Sequence, residues 1–314
     1  MKKLHSYTAA DQFPLKLAQD YRTIESIVEK QFIPPVHVQL CPTNKCTRQC
    51  RFCSCSDRDK SLELPFKAIL RIMQEFKKLG CRSVTITGGG EPLLHPSIAD
   101  IIYSLSEMGI SIGLVTNGDV IDRLRALDWA NVLWCRISCS DEVEFSDSWW
   151  SKVERAIKQA PGVDWAFSYV VKRDHKPENL KKYVQKAKEY NFTHVRVVSN
   201  LLDIENVPIV EEPKDPIVLF QNRKTPRPGT KRCWISLLKP VVAADGFLYP
   251  CCGIQYAGLS SVKDYSLEAR MNLHIKHWIN QEPFDGSKCR YCYYTDYNNF
   301  LDGLRKELDH RDHV

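Results

Sequence analysis

Ten of the thirteen cysteines in this 314-residue chain fall into two groups, five from Cys41 to Cys55 and five from Cys233 onward. In the first group Cys46, Cys50 and Cys53 stand four and three residues apart, in the string Cys46-Thr47-Arg48-Gln49-Cys50-Arg51-Phe52-Cys53. Thiolates are soft ligands that select iron–sulfur clusters or zinc. Structural zinc wants four ligands, usually marked by tight Cys-x-x-Cys pairs. A set of three thiolates instead suits a cubane with one iron left open, and an open iron can bind a cofactor or substrate. Cys41 and Cys55 are poor candidates for a fourth ligand, one falling at a strand end and the other only two residues past Cys53.

The second chemical string is Thr87-Gly88-Gly89-Gly90-Glu91-Pro92. Glycines let a backbone approach a ligand with no side chain in the way, and a glutamate can accept from an ammonium group. An ordinary strand-to-helix turn is the plain alternative. Two smaller features follow, Thr116-Asn117-Gly118 and Ser138 within Arg136-Ile137-Ser138-Cys139-Ser140. Strand alternation puts Arg136, Ser138 and Ser140 on one face and sends Cys135 and Cys139 to the other, as packing residues.

The later cysteines are Cys233, Cys251, Cys252 and the pair Cys289-Arg290-Tyr291-Cys292. Cys233 and Cys251 bracket an expected hairpin turning at Ala244-Asp245-Gly246. Four thiolates from three segments would staple a small domain, with zinc or an iron–sulfur cluster both open on spacing alone.

These residues need elements to position them. Val36–Cys41 reads as a strand, and a helix opens at Pro65 with Phe66, Ile69, Met73 and Phe76 on one stripe and Gly80 at its end. Further strands are expected at 83–87, 112–116, 132–138, 165–171 and 194–198, separated by helices starting near Ser97 and at Pro177. That alternation predicts an α/β fold with a parallel sheet and right-handed crossovers. The expected organisation is a helical extension over residues 1–34, with one helix from about Leu15 to Lys30, and an α/β unit over 35–206. A proline-rich linker follows at 207–229, then a small cysteine-rich α+β domain over 230–314.

The formal net charge of +6 is mild, and the composition of 43% hydrophobic and 26% charged residues is that of a globular protein. Met1-Lys2-Lys3-Leu4-His5 is not followed by an apolar run, and no stretch is long enough to span a membrane, so a cytoplasmic protein without membrane association is expected.

Cys-x-x-x-Cys-x-x-Cys with aromatic Phe52 before its last cysteine, followed by the Gly-Gly-Glu-Pro string, resembles the signature of the radical S-adenosylmethionine (SAM) superfamily over about residues 36–200. The resemblance implies a partial (β/α)6 barrel and a [4Fe-4S] cluster held by Cys46, Cys50 and Cys53, with SAM chelated at the open iron. By the same resemblance Phe52 lies beside the adenine and Gly88, Gly89, Gly90, Glu91 and Pro92 grip SAM's amino group. Asn117 belongs to a Thr-Asn-Gly turn, and Ser138 lies near SAM's ribose or carboxylate. Thr47 departs from the asparagine of many relatives. The order Cys233, Gly246 to Cys251, and Cys289-x-x-Cys292 resembles the auxiliary-cluster domains called SPASM and Twitch. It implies a second [4Fe-4S] cluster on Cys233, Cys251, Cys289 and Cys292, selecting Cys251 over Cys252. Asn298 stands where a full SPASM domain has its next cysteine, which implies the shorter Twitch form. Such a cluster, with no open iron, passes electrons or shapes the pocket.

The activity so implied is that of a radical SAM oxidoreductase or isomerase, supplied by a reductant such as flavodoxin or ferredoxin. The substrate expected first is a small polar molecule: a sugar, an aminocyclitol or a nucleotide. The alternatives are a nucleic-acid base, including hypermodified phage thymine, and a peptide undergoing maturation; an iron–sulfur or zinc interaction protein is the non-enzymatic reading. Arg223, Lys224, Arg227, Lys231 and Arg232 read as a solvated basic run or a phosphate site. The aromatics Trp278, Tyr291, Tyr293, Tyr294, Tyr297 and Phe300 read as packing or as a stacking surface.

Overall fold

The computed structural model describes residues 15–306 apart from 30–31, 54, 57, 141–144, 201–202, 204–205, 209–213, 222–226, 253–281 and 290–291. Arg223, Lys224, Trp278 and Tyr291 lie outside the described residues.

The chain opens with two helices, α1 (Leu15–Ala18) and α2 (Tyr21–Val28), where the sequence suggested one. Asp20 divides them, because its carboxylate accepts from the backbone and hydroxyl of Thr23 and caps α2. Strand β1 (His37–Leu40) leads through the cysteine loop to α3 (Phe66–Lys78). Pro65 starts α3, Ile69, Ile72, Met73 and Phe76 bury its stripe, and Gly80 ends it at φ +101°. Then come β2 (Ser83–Ile86), α4 (Ile98–Glu107), β3 (Ser111–Thr116), α5 (Ala126–Trp129), β4 (Trp134–Ser140), α6 (Asp147–Gln159), β5 (Asp164–Val171), α7 (Pro177–Glu189) and β6 (His194–Ser199).

With β7 (Val218–Gln221), β8 (Val241–Val242) and β9 (Leu248–Tyr249), the strands among the described residues form one sheet in the order β7-β6-β5-β4-β3-β2-β1-β8-β9. Strands β1 to β6 are adjacent in sequence order and parallel throughout. Right-handed crossovers between consecutive neighbours put every connecting helix on the same side of the sheet. That face carries the core, with Val38, Leu40, Ile86, Ile137, Phe167 and Val195 essentially sealed. The opposite face is polar, carrying His37, Gln39, Thr85, Arg136, Ser138, Ser168 and Arg196 at alternate positions.

The region expected to be a linker contains β7 (Val218–Gln221), which pairs with β6. Within the residues expected to form a C-terminal domain, the described strands join the same sheet. Strand β8 (Val241–Val242) pairs in parallel with β1 and antiparallel with β9 (Leu248–Tyr249), around a turn with Gly246 at φ +82°. Trp234, Leu237 and Leu238, in and beside α8 (Ile235–Leu238), join Tyr297 and Leu301 of α9 (Thr295–Gly303) in the main apolar core. Apolar burial drives this docking. No described helix is long and apolar enough to cross a membrane.

Candidate functional site

Three loops meet at the carboxyl ends of β1, β2 and β3, where ligands bind in parallel α/β sheets. The cysteine loop leaves β1, and its first residues run beside the glycine loop that leaves β2. Gly90 donates its N–H to the Thr43 carbonyl at 2.9 Å, and Glu91 donates to that of Lys45 at 2.7 Å. The contact is backbone on backbone. A Cβ at Gly90 would lie 1.9 Å from the Lys45 oxygen, and one at Gly88 would lie 1.5 Å from the Gly90 oxygen, so both glycines are required by space. Pro92 follows as the first residue of a 3-10 turn, and Gly89 is buried between its neighbours.

Glu91 is 2% exposed and points at the end of β3. Its Oε1 accepts from Thr116 Oγ1 at 2.7 Å and from the Leu93 N–H at 3.1 Å, and its Oε2 accepts from the Asn117 N–H at 2.7 Å. Burial pushes its carboxyl up to about 7, against the pull of the Asn117, Thr116 and Leu93 hydrogen bonds. The same turn reaches the cysteine loop. Asn117 Nδ2 donates to Thr47 Oγ1 at 2.9 Å and lies 3.8 Å from Cys46 Sγ. Asp119 accepts from Thr47 Oγ1 at 2.6 Å and Arg48 Nε at 3.0 Å, and Arg48 Nη2 donates to the Asn117 carbonyl at 2.7 Å. Thr47, the departure noted in the sequence, is thus a working part of the clamp. Gly118, at φ +81°, leaves room for Trp149, which stacks on Phe145, and Arg48 lies over the Phe145 ring.

Cys46, Cys50 and Cys53 are all half-buried in this loop, as is Phe52. Their surroundings suit thiolates. The Arg48 N–H faces Cys46 Sγ at 3.5 Å, and Arg58 Nη1 faces Cys53 Sγ at 3.7 Å. Hydrogen bonding from the Cys55 side chain, with further help from its backbone and from Arg58, draws Cys53 down to about 6. Among the described residues no three Cys, His, Asp or Glu side chains converge to metal-holding distance. The donor set itself, three thiolates beside N–H donors, fits an iron–sulfur cluster with one iron free of protein.

Three members of the second cysteine group, Cys251, Cys252 and Cys289, lie beside β8 and β9. Register sets Gln39 level with Val241 and Val241 level with Tyr249, so the chain past β9 runs back towards the start of β1. Cys233 and Cys289 are drawn together by backbone pairing, Cys233 N–H to the Phe284 carbonyl and Gly229 N–H to that of Cys289, both 2.9 Å. A Cβ at Gly229 would lie 2.8 Å from Cys289 Cβ. Burial, then the neighbouring Cys292 and Cys289, push Cys233 up to about 12. Cys251 and Cys252 both pack with Cys289 and Phe284 against Cys41, Val241, Ala243 and Tyr249. Arg227 pairs with Asp296 and Arg232 with Asp302 at 3.6 Å, so two members of the basic run bind α9.

Ser138 is half-buried on the polar face, level with Ser168 of β5. The residues that sequence reasoning missed are Arg48 and Asp119, which tie the cysteine loop to the turn after β3 through partners about seventy residues away, and Arg58, which braces the cysteine loop from within. His95 is similar, its Nε2 donating to the Leu64 carbonyl at 2.8 Å while its Nδ1 accepts from the Ser97 N–H.

With this geometry in view, residues 40–140 match the Radical SAM superfamily. A probable GTP 3',8-cyclase of Archaeoglobus fulgidus is 34% identical over 88 residues, 28% of this chain and 29% of that one. The PqqA peptide cyclase of Methylorubrum populi is 37% identical over 79 residues, 24% of this chain and 20% of that one. The similarity therefore spans less than a third of the length of either relative. The structure of Streptococcus suis SuiB bound to S-adenosylmethionine superposes with a TM-score of 0.59 at 17% identity, over 85% of this chain and 71% of that one. SuiB bound to its precursor peptide SuiA gives 0.56 at 14%, over 95% and 73%. Motif and loop geometry fall within the family match: residues 40–140, about a third of the chain, match the Radical SAM superfamily, whose implied cofactors are a [4Fe-4S] cluster and SAM.

Proposed function

We propose that the chain is a radical SAM enzyme acting on a peptide, with Cys46, Cys50 and Cys53 holding the SAM-binding cluster. The observation that carries the reading is the backbone pairing of the cysteine loop with the glycine loop, which sets the two SAM-binding strings side by side at the ends of β1 and β2. When bound, the cluster and SAM supply a 5′-deoxyadenosyl radical that takes a hydrogen atom from the substrate. The protein's part is placement and exclusion of water. Gly88, Gly89, Gly90 and Pro92 shape the seat for SAM's amino group. Glu91 has one lone pair of its four acceptor positions left after its three protein hydrogen bonds, on Oε2, and offers it to that ammonium. Asn117 and Ser138 face SAM's polar groups, and Phe52 covers the adenine.

The peptide replaces the small polar substrate expected first, supported by the PqqA peptide cyclase alignment and the SuiB likeness. A nucleotide is the second reading, favoured by the alignment with a GTP 3',8-cyclase. Cys233, Cys251, Cys289 and Cys292 belong to the proposal as ligands of an auxiliary [4Fe-4S] cluster that passes electrons or shapes the pocket, and a reductant such as flavodoxin or ferredoxin serves the enzyme. Anaerobic reconstitution tests both sites. Wild type is expected to hold about eight irons and release 5′-deoxyadenosine with dithionite and SAM; replacing Cys46, Cys50 and Cys53 by alanine should leave about four and no release. Zinc without sulfide in the purified protein, or release that survives the triple replacement, refutes the reading.

A further inference from the structure

The polar face of the sheet carries a cluster of cations that the SAM site does not use. Arg136 of β4 is level with His194 of β6 across the small Ala166 of β5, and Arg196 is level with Ser138 across Ser168. Arg136 Nη2 lies 3.5 Å from His194 Nε2, and Arg136 Nε is buried with no hydrogen-bond partner. Arg196 uses Nε on Gln221 at 2.6 Å. Lys16 of α1 is within electrostatic reach of Arg136 and Lys239, and Lys239 is within reach of Arg136 and Arg196 as well as of Cys251 and Cys252. Among the described residues none of Lys16, Arg136, Arg196 or Lys239 forms an ion pair with a carboxylate.

Such an arrangement is costly without a ligand. Gathering like charges on a half-buried face opposes folding, and native proteins pair buried cations. The repulsion is visible in the groups themselves. Burial and then Arg196 pull Arg136 down to about 9, while burial, Arg136 and Arg196 pull His194 down to about 3, so that His194 is neutral. Two guanidiniums on one face of the sheet, with a neutral imidazole against Arg136 and serines at neighbouring register positions, suit an oxyanion that accepts several N–H bonds at once.

We infer that Arg136 and Arg196 form a binding site for an oxyanion of the substrate, a carboxylate or a phosphate, held on the open face of the sheet level with Ser138. The inference rests on the radical SAM reading only for calling the bound molecule a substrate. A peptide would offer an acidic side chain or its terminus, and a nucleotide its phosphates. The site lies at the height of the Thr116-Asn117-Gly118 turn, since Val115 is level with Arg136, and so anchors one end of a molecule whose other end reaches SAM.

The test uses reconstituted protein with saturating SAM, so that SAM's own carboxylate is already satisfied, at ionic strength held constant with chloride. Inorganic pyrophosphate and succinate are added separately and the thermal midpoint is followed. One of the two should raise the wild-type midpoint by roughly 2–4 °C at ten times its dissociation constant, and which one does so identifies the oxyanion. Arg136→Met and Arg196→Met should lose that rise, and without anion their midpoints should not fall below wild type, because a repelling charge has gone. Phenylglyoxal modification of the wild type, read peptide by peptide, gives a second measure that needs no variant: the same anion should protect Arg136 and Arg196. No rise beyond chloride, an equal rise in the variants, a rise produced by SAM alone, or modification that the anion does not slow would each overturn the site. Iron content and 5′-deoxyadenosine release on the same preparations report separately on the SAM reading.

Discussion

Replacing Glu91 with glutamine removes a charge from a place sealed from water while keeping the shape of the side chain. Burial holds the folded-state carboxyl at about 7, against 4.5 for a free glutamate. At about 1.4 kcal/mol per unit, that is about 3 kcal/mol between the protonated and ionised forms of the folded protein. The folded chain binds this proton more tightly than the unfolded chain does. Its contribution is therefore complete below the unfolded value and is lost as pH rises through the folded one. About 2 kcal/mol of the change falls between pH 5.5 and 8. Glutamine keeps an acceptor for Thr116 and Leu93 but turns an amide towards the Asn117 N–H, leaving that donor unpaired at a cost of about 1–3 kcal/mol. Glu91→Gln is thus expected to be less stable than wild type at pH 5.5, with the gap closing by about 2 kcal/mol at pH 8. Anaerobic thermal melts across that range measure it, the difference in midpoints narrowing by about 3 °C. A gap of constant width would show that Glu91 does not carry a raised, protein-buried titration.

Two further outcomes follow from the same geometry. Gly90→Ala should lower the thermal midpoint by more than about 5 °C and weaken SAM binding, because the new methyl meets the Lys45 carbonyl and only separation of the two loops relieves it. A variant with unchanged midpoint and SAM affinity would contradict the loop pairing. Cys251→Ala should lose auxiliary iron and destabilise the C-terminal hairpin, whereas Cys252→Ala should keep its iron and cost only the trimming of a small side chain; iron analysis giving the opposite order would exchange the two.

Much of the candidate site lies in contiguous strings that the sequence alone can name. The Cys46 to Cys53 spacing and the Gly88 to Pro92 run need no partner to be recognised, and the strands that present them differ from the expected ones by a residue or two. The alternation along β4 likewise foretold which side Cys135 and Cys139 would take, and both are buried under the helices. What escaped was whatever depends on two distant segments. Glu91 could be named for its charge, but its bonds to Thr116 and Asn117 cross from one strand end to the next. Arg48 and Asp119 form an ion pair across 71 residues. The prolines of 207–229 spoke against regular structure, yet the short Val218–Gln221 strand pairs with β6 between them. Val241 and Val242 gave no sign that they would extend the sheet beside β1, since parallel pairing leaves no turn signature.

That last pairing bears on how the molecule is assembled. Strand β1, from which the cysteine loop springs, has one neighbour that arrives early in synthesis and another, β8, that arrives about two hundred residues later. Until then one side of β1 is a bare edge, with Gln39 and Cys41 lacking the Pro240 and Val242 carbonyls that later receive their N–H groups. Closing so long a loop is slow, and it fixes the timetable of maturation. The root of the cysteine loop gains its full backing only when the chain is nearly finished, so delivery of iron and sulfide to a firmly held loop is a late event. A protein interrupted before Pro240 would present the thiols on a frayed strand, open to oxidation and to pairing with a second unfinished chain.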